Sequence, residues 1–245
     1  MITNSVILFL SALLGGVSLF FFPELKTKKF DFLLIFAGSY LFSITVIHIL
    51  PEVYAQYPNS FQIGIFILAG FFLQMVLGVL STGIEHGHIH HIDKNERYLT
   101  PYVLVVGLGI HSFLEGTILA HPVSSGIHNH AGGILFGIIL HKIPAALALM
   151  VIVSAYSKRT FVAMIYLIAF SLCSPLGLIT ATIVGEYHVF SIKEMSWLYA
   201  LVSGSFLHIS TTIFFESNPQ HKLKVARLLI VFLGAIVAIL IELFL

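Results

Sequence analysis

Residues 101–120 read PYVLVVGLGIHSFLEGTILA, a stretch with two ionisable groups of interest, His111 and Glu115, in otherwise apolar or small surroundings. Twenty such residues in a helix span about 30 Å, the hydrocarbon thickness of a bilayer. An ionisable side chain at that depth costs from roughly 3 kcal/mol upward, so it persists where it faces a cavity, a polar partner or an ion. His111 and Glu115 are four apart and share one helix face, an imidazole one turn from a carboxylate. That donor pair suits a divalent transition metal. The next apolar stretch, 131–156, holds His141 and Lys142 just before Pro144. Four ionisable groups in two consecutive spans are expected to face one another.

The rest of the chain reads the same way. Of 245 residues, 58% are hydrophobic and only 9% are charged; the mean hydropathy is +1.01. Soluble domains carry about 25% charged residues. The fold class is therefore all-α, a polytopic transmembrane helical bundle. Eight segments have the length of a span: about 4–22, 30–50, 61–83, 101–120, 131–156, 160–185, 195–215 and 225–245. Pro23 and Pro51 are expected to close the first two. The connections are short, so 1–245 reads as a single transmembrane domain. The N-terminus lacks the basic start of a secretory signal and reads as the first permanent span. A formal net charge of +1 gives no basis for nucleic-acid binding. The one cysteine, Cys173, excludes a disulfide framework.

Basic residues set the expected orientation. Lys26, Lys28, Lys29, Lys94, Arg97, Lys158, Arg159, Lys222, Lys224 and Arg227 all fall on one side of an eight-span arrangement. Lys193 falls on the other. The basic side is expected to be cytoplasmic, which puts both termini outside. On the cytoplasmic side, after the third span, lie His86, His88, His90 and His91; outside, after the fourth, lie His121, His128 and His130. Such runs hold metal weakly and transiently, or are simply solvated polar loops.

Pro144 removes its own backbone donor and opposes the carbonyl of Leu140, and Pro175 does the same to Ser171. Irregular backbone at membrane depth fits a cavity wall. HSFLEG at 111–116 followed by HKIPAALAL at 141–149 resembles the paired signatures of the ZIP family of divalent metal-ion transporters. Eight spans with both ends outside are similar to that family too. More loosely, HILPE at 48–52, SPLG at 174–177 and SGSFLH at 203–208 resemble its second, sixth and seventh spans.

The resemblance implies transport of a divalent metal towards the cytoplasm, with His111, Glu115 and His141 as the metal ligands. Several members of the family hold two metals. This chain departs from them at Ser112, Lys142, Ala145 and Ser174, and so resembles a branch with a single-metal site. Lys142 then supplies one positive charge where a second ion would stand, with Ser112 beside it. Three ligands leave zinc one short of its preferred four, a place for water. His48 and His208 are candidates for a further contact. The bland alternative for each is a bond to a neighbouring helix, and for the central trio a polar network that only ties helices together.

The expected function is a membrane transporter of zinc, with iron, manganese, cobalt and cadmium admitted by the same donors. Its partners are membrane lipid and the metal cargo; a homodimer and the plasma membrane are the expected assembly and location. Imidazoles must be neutral and the carboxylate ionised to bind, so acid should weaken uptake near the ordinary histidine pKa of about 6.5. The main rival is an intramembrane zinc-dependent hydrolase with a metal-bound water as nucleophile. Against it, no separate general base is evident. A haem or quinone protein is a second rival.

Overall fold

A computed structural model describes residues 1–21, 28–56, 59–81, 101–120, 131–157, 159–216 and 225–244. Apolar runs long enough to satisfy every backbone group internally become helices, and among the described residues no strand occurs. In chain order they are α1 (Ile2–Phe21), α2 (Lys28–Ile44), α3 (Leu50–Gln56), α4 (Ser60–Ser81), α5 (Pro101–Thr117), α6 (Ala131–Tyr156), α7 (Thr160–Glu186), α8 (Ile192–Glu216) and α9 (Val225–Phe244). A π-helical turn, Thr45–Ile49, joins α2 to α3, and a 3-10 turn, Ile118–Ala120, extends α5. Joined through the π turn, α2 and α3 form one rod. Among the described residues, eight helices are thus long and apolar enough to cross a membrane.

One boundary departs from the sequence reading. The second span does not close at Pro51 but continues to Gln56. Proline breaks an α-helix because its ring meets the carbonyl four residues back. Here the π turn comes first: the Leu50 N–H donates to the Thr45 carbonyl, five residues back, which widens the ladder just ahead of the proline. Pro144 and Pro175 likewise lie inside α6 and α7 without ending them.

The helices pack as two groups. In the first, α5 lies on α7 and α1 lies on α6 and α7; in the second, α4 lies on α8, and α2 on α9 and α8. The principal joins between the groups are α2 on α6 and α4 on α5. Burial agrees with this arrangement: 72% of the α6 membrane window is buried and 11% of the α9 window, so α6 is central and α9 faces outward.

Within each group glycines bring backbones into contact. A Cβ on Gly116 would lie 2.0 Å from the Ser174 carbonyl oxygen, and one on Gly177 would lie 1.9 Å from that of Phe113, so α5 and α7 interlock reciprocally. Gly70 against Leu201 (1.8 Å) and Gly204 against Ile67 (1.9 Å) do the same for α4 and α8. These are the small-residue contacts that let membrane helices approach closely.

Candidate metal centre

The site begins with two helices that each bring a polar face to a buried level. On α5, four-residue spacing stacks His111 over Glu115, with Nε2 and Oε1 2.9 Å apart. From α6, His141 Nε2 reaches to 3.7 Å of the same Oε1. The two imidazole rings meet edge to face, centroids 5.7 Å apart. One ligand atom from each residue falls within 4.8 Å of the other two. Two ligands held about 2.1 Å from one ion stand roughly 3.0–3.6 Å apart at angles of 90–120°. The two spacings to Oε1 bracket that range, and drawing the two imidazole nitrogens closer together would close the three around a common atom.

Burial sharpens the chemistry. All three residues are at most 2% exposed. Yet both ring nitrogens of His111, both of His141 and Oε1 of Glu115 make no hydrogen bond. Of these, His111 Nε2, His141 Nε2 and Glu115 Oε1 turn toward one another, and a buried polar atom left unsatisfied costs about 1–3 kcal/mol. The lone pair of a neutral imidazole and a carboxylate oxygen, 2.9 Å apart, repel unless a proton or a metal cation sits with them.

The other carboxylate oxygen is fully engaged. Lys142 Nζ donates to Glu115 Oε2 at 2.7 Å, to Ser112 Oγ at 2.8 Å, and to Ser174 Oγ. Ser174, one residue before Pro175 on α7, donates to the Ser112 carbonyl at 2.6 Å. Lys142 is 1% exposed and its ammonium also lies 5.5 Å from the Phe170 ring centroid. Glu115 is thus shared: Oε1 faces the imidazoles, Oε2 faces the ammonium. The polar residues come from α5, α6 and α7, all in one helix group.

The remaining sequence candidates go elsewhere. His48 Nδ1 pairs with Glu242 at 2.8 Å and its Nε2 lies 3.3 Å from Glu52. His208, in the other helix group, packs edge-on against Phe71 with centroids 4.9 Å apart. Neither belongs to the buried trio. His86, His88, His90, His91, His121, His128 and His130 lie outside the described residues. Sequence reading missed Glu242. The signal was available, a carboxylate in the apolar run 225–245, but its partner is 194 residues away.

Residues 80–242 match the protein family described as ZIP Zinc transporter. The chain belongs to the ZIP family. A curated relative, Protein zntD of Dictyostelium discoideum, is 32% identical over 145 residues, covering 56% of this chain and 21% of that protein. This ZIP chain therefore spans about a fifth of the length of that relative. The match to the ZIP family contains the whole buried site, from His111 to Ser174, and ends at Glu242. Family membership agrees with the signatures in α5 and α6 and gives no support to the zinc-hydrolase alternative.

Proposed function

We propose that this ZIP chain moves a divalent transition metal, zinc first, across the plasma membrane towards the cytoplasm. A single intramembrane site of His111, Glu115 and His141 holds the ion. The observation that supports this most is the convergence of three buried donor atoms, one each from His111, Glu115 and His141, within 4.8 Å of one another in a dry site. A divalent cation satisfies Nε2 of both imidazoles and Oε1 at once, and water completes the shell. The ion must shed most of its hydration to enter, and the neutral imidazoles and the carboxylate replace it.

Lys142 stands in for a second ion. Its ammonium already occupies the far side of Glu115 at 2.7 Å. A metal there would sit beside a like charge in a low dielectric, where repulsion is strongest. The tethered cation balances the carboxylate between transport cycles. Replacing Lys142 with Glu should create or strengthen a second position, read by equilibrium metal counting.

Alternating exposure is consistent with the packing. All three ligands ride on one helix group, so movement of that group against the other shifts the site without taking it apart. The test is uptake into liposomes with a panel of metals, comparing the parent with His111→Ala and Glu115→Ala. Flux should fall at least about 100-fold while helicity by circular dichroism is kept. Parent-like flux in both variants would sink the reading.

A further inference from the structure

Behind Glu115 lies a closed ring of hydrogen bonds. Lys142 Nζ has three N–H bonds and three acceptors: Glu115 Oε2 at 2.7 Å, Ser112 Oγ at 2.8 Å, and Ser174 Oγ. Ser174 Oγ donates its one proton to the Ser112 carbonyl at 2.6 Å. That fixes the sense of the remaining bond: Ser112 Oγ donates to Ser174 Oγ at 3.0 Å. Each proton is used once. Lys142 is 1% exposed and both serines are fully buried, so bulk water does not reach the ring. A cation tethered to α6 is thus held by one charged acceptor from α5 and by neutral acceptors from α5 and α7.

The ring is not needed to join the helices. α5 and α7 already meet backbone to backbone, Gly116 against the Ser174 carbonyl and Gly177 against the Phe113 carbonyl. One hydroxyl adds little to such a seam. What Ser174 supplies is an acceptor for the ammonium in a direction other than that of Glu115. It does so from α7, a helix that carries none of the three ligands. Ser112 is the other neutral acceptor, but it adjoins His111 in the chain, so a change there also disturbs a ligand's own turn.

We propose that Ser174 is a positioning residue for metal loading: it holds the Lys142 ammonium when Glu115 turns to the ion, and so sets how tightly the buried centre binds its cargo. The inference rests on the transport reading above and names a residue that tunes it. In the empty centre the ammonium faces the full charge of the carboxylate. A divalent cation at Oε1 draws that charge to itself and repels the ammonium at the same time. The bond from Lys142 to Oε2 weakens, and the serines then carry more of the buried charge. A buried charge that loses its partners is costly. Ser174 therefore stabilises the loaded centre more than the empty one, and only such a difference alters affinity.

The competing role for the same hydroxyl is a peg that only ties α7 to α5. Two measurements on the full chain separate the roles: initial zinc uptake in liposomes against zinc concentration, and equilibrium zinc titration in detergent. Groups that directly support metal ligands shift affinity about 10- to 100-fold, and Ser174 acts one bond further out. Ser174→Ala should therefore raise the half-saturating zinc and the zinc dissociation constant about three- to ten-fold, with the maximal rate within about two-fold of the parent. Ser174→Cys, a weaker acceptor of similar shape, should fall between the parent and Ser174→Ala. In a Lys142→Met background, adding Ser174→Ala should leave the dissociation constant where Lys142→Met put it, because Ser174 works through the ammonium. Where Lys142→Met yields no folded protein, Ser112→Ala decides: loss of the other neutral acceptor should move the dissociation constant in the same direction. A parent-like dissociation constant in Ser174→Ala, a fall in maximal rate alone, or an equal shift with and without Lys142 would overturn the positioning role. Failure of Ser174→Ala to fold would mark the hydroxyl as a peg and overturn it equally. Parent-like uptake by His111→Ala counts against the transport reading itself. A dead His111→Ala beside an unaltered Ser174→Ala counts against the positioning role alone.

Discussion

Along the contact of α5 with α7 backbone meets backbone, whereas along the contact of α2 with α6 a tyrosine ring stands between the helices. Gly116 and Gly177 leave no room for a methyl group against the opposing carbonyls. On α6, Gly133 and Gly137 form an equally bare groove, but Tyr40 of α2 fills it. The ring lies 2.9 Å from where a Gly137 Cβ would be, and the hydroxyl donates to the Gly133 carbonyl at 2.9 Å. The first kind of seam lies within a helix group and the second between groups. Bare backbones in register cannot slide without carbonyls colliding, while a seam filled by side chains can repack. The same sequence device, a helix face of glycine, thus fastens helices in one place and leaves a yielding joint in another.

The largest test of that contrast is a methyl group. Gly116→Ala or Gly177→Ala should abolish recovery of folded protein by gel filtration, because only a backbone carbonyl could give way. Gly137→Ala should fold, at a cost of about 1–3 kcal/mol, because a tyrosine ring can move. Equal losses from both would break the comparison.

Lys142→Met probes the inside of the first group. It strands a buried carboxylate and should lower stability by about 3–5 kcal/mol in thermal unfolding in detergent. Excess zinc should restore part of that loss.

Tyr40→Phe removes one hydrogen bond across the joint, worth about 1 kcal/mol. The maximal uptake rate should change while the half-saturating zinc does not. The smallest effect belongs to Arg227→Gln. Its partner Asp31 is half exposed at 4.0 Å, so stability should move by less than about 1 kcal/mol. The α2–α9 contact is held instead by Ser39 donating to the Val231 carbonyl and by Gly234 against Phe36.

The sequence was legible wherever the signal was local. Apolar run length located eight spans to within a few residues of the observed helices, the second excepted. Four-residue spacing put His111 and Glu115 on one face before any partner was known. Pro51 misled, because a proline reads as a stop and the π turn that accommodates it has no sequence mark of its own. Glu242 was overlooked for a different reason. Its meaning comes from His48, on a helix far away in the chain, and spacing rules do not reach across folds. The division into two groups was equally hidden, since a glycine does not announce whether a backbone or a ring will fill the space it leaves. Ser174 was visible as a departure from a family pattern, but its grip on both Lys142 and the Ser112 carbonyl was not.

The ion pair between Lys142 and Glu115 has an electrical consequence. Its charges sum to zero, so an empty carrier built this way crosses the membrane field without work. A loaded one adds two positive charges, worth about 4.6 kcal/mol per 100 mV. On the transport reading proposed above, a negative interior would drive the loaded passage and leave the return indifferent to voltage, so uptake would be electrogenic and its current a direct readout of turnover.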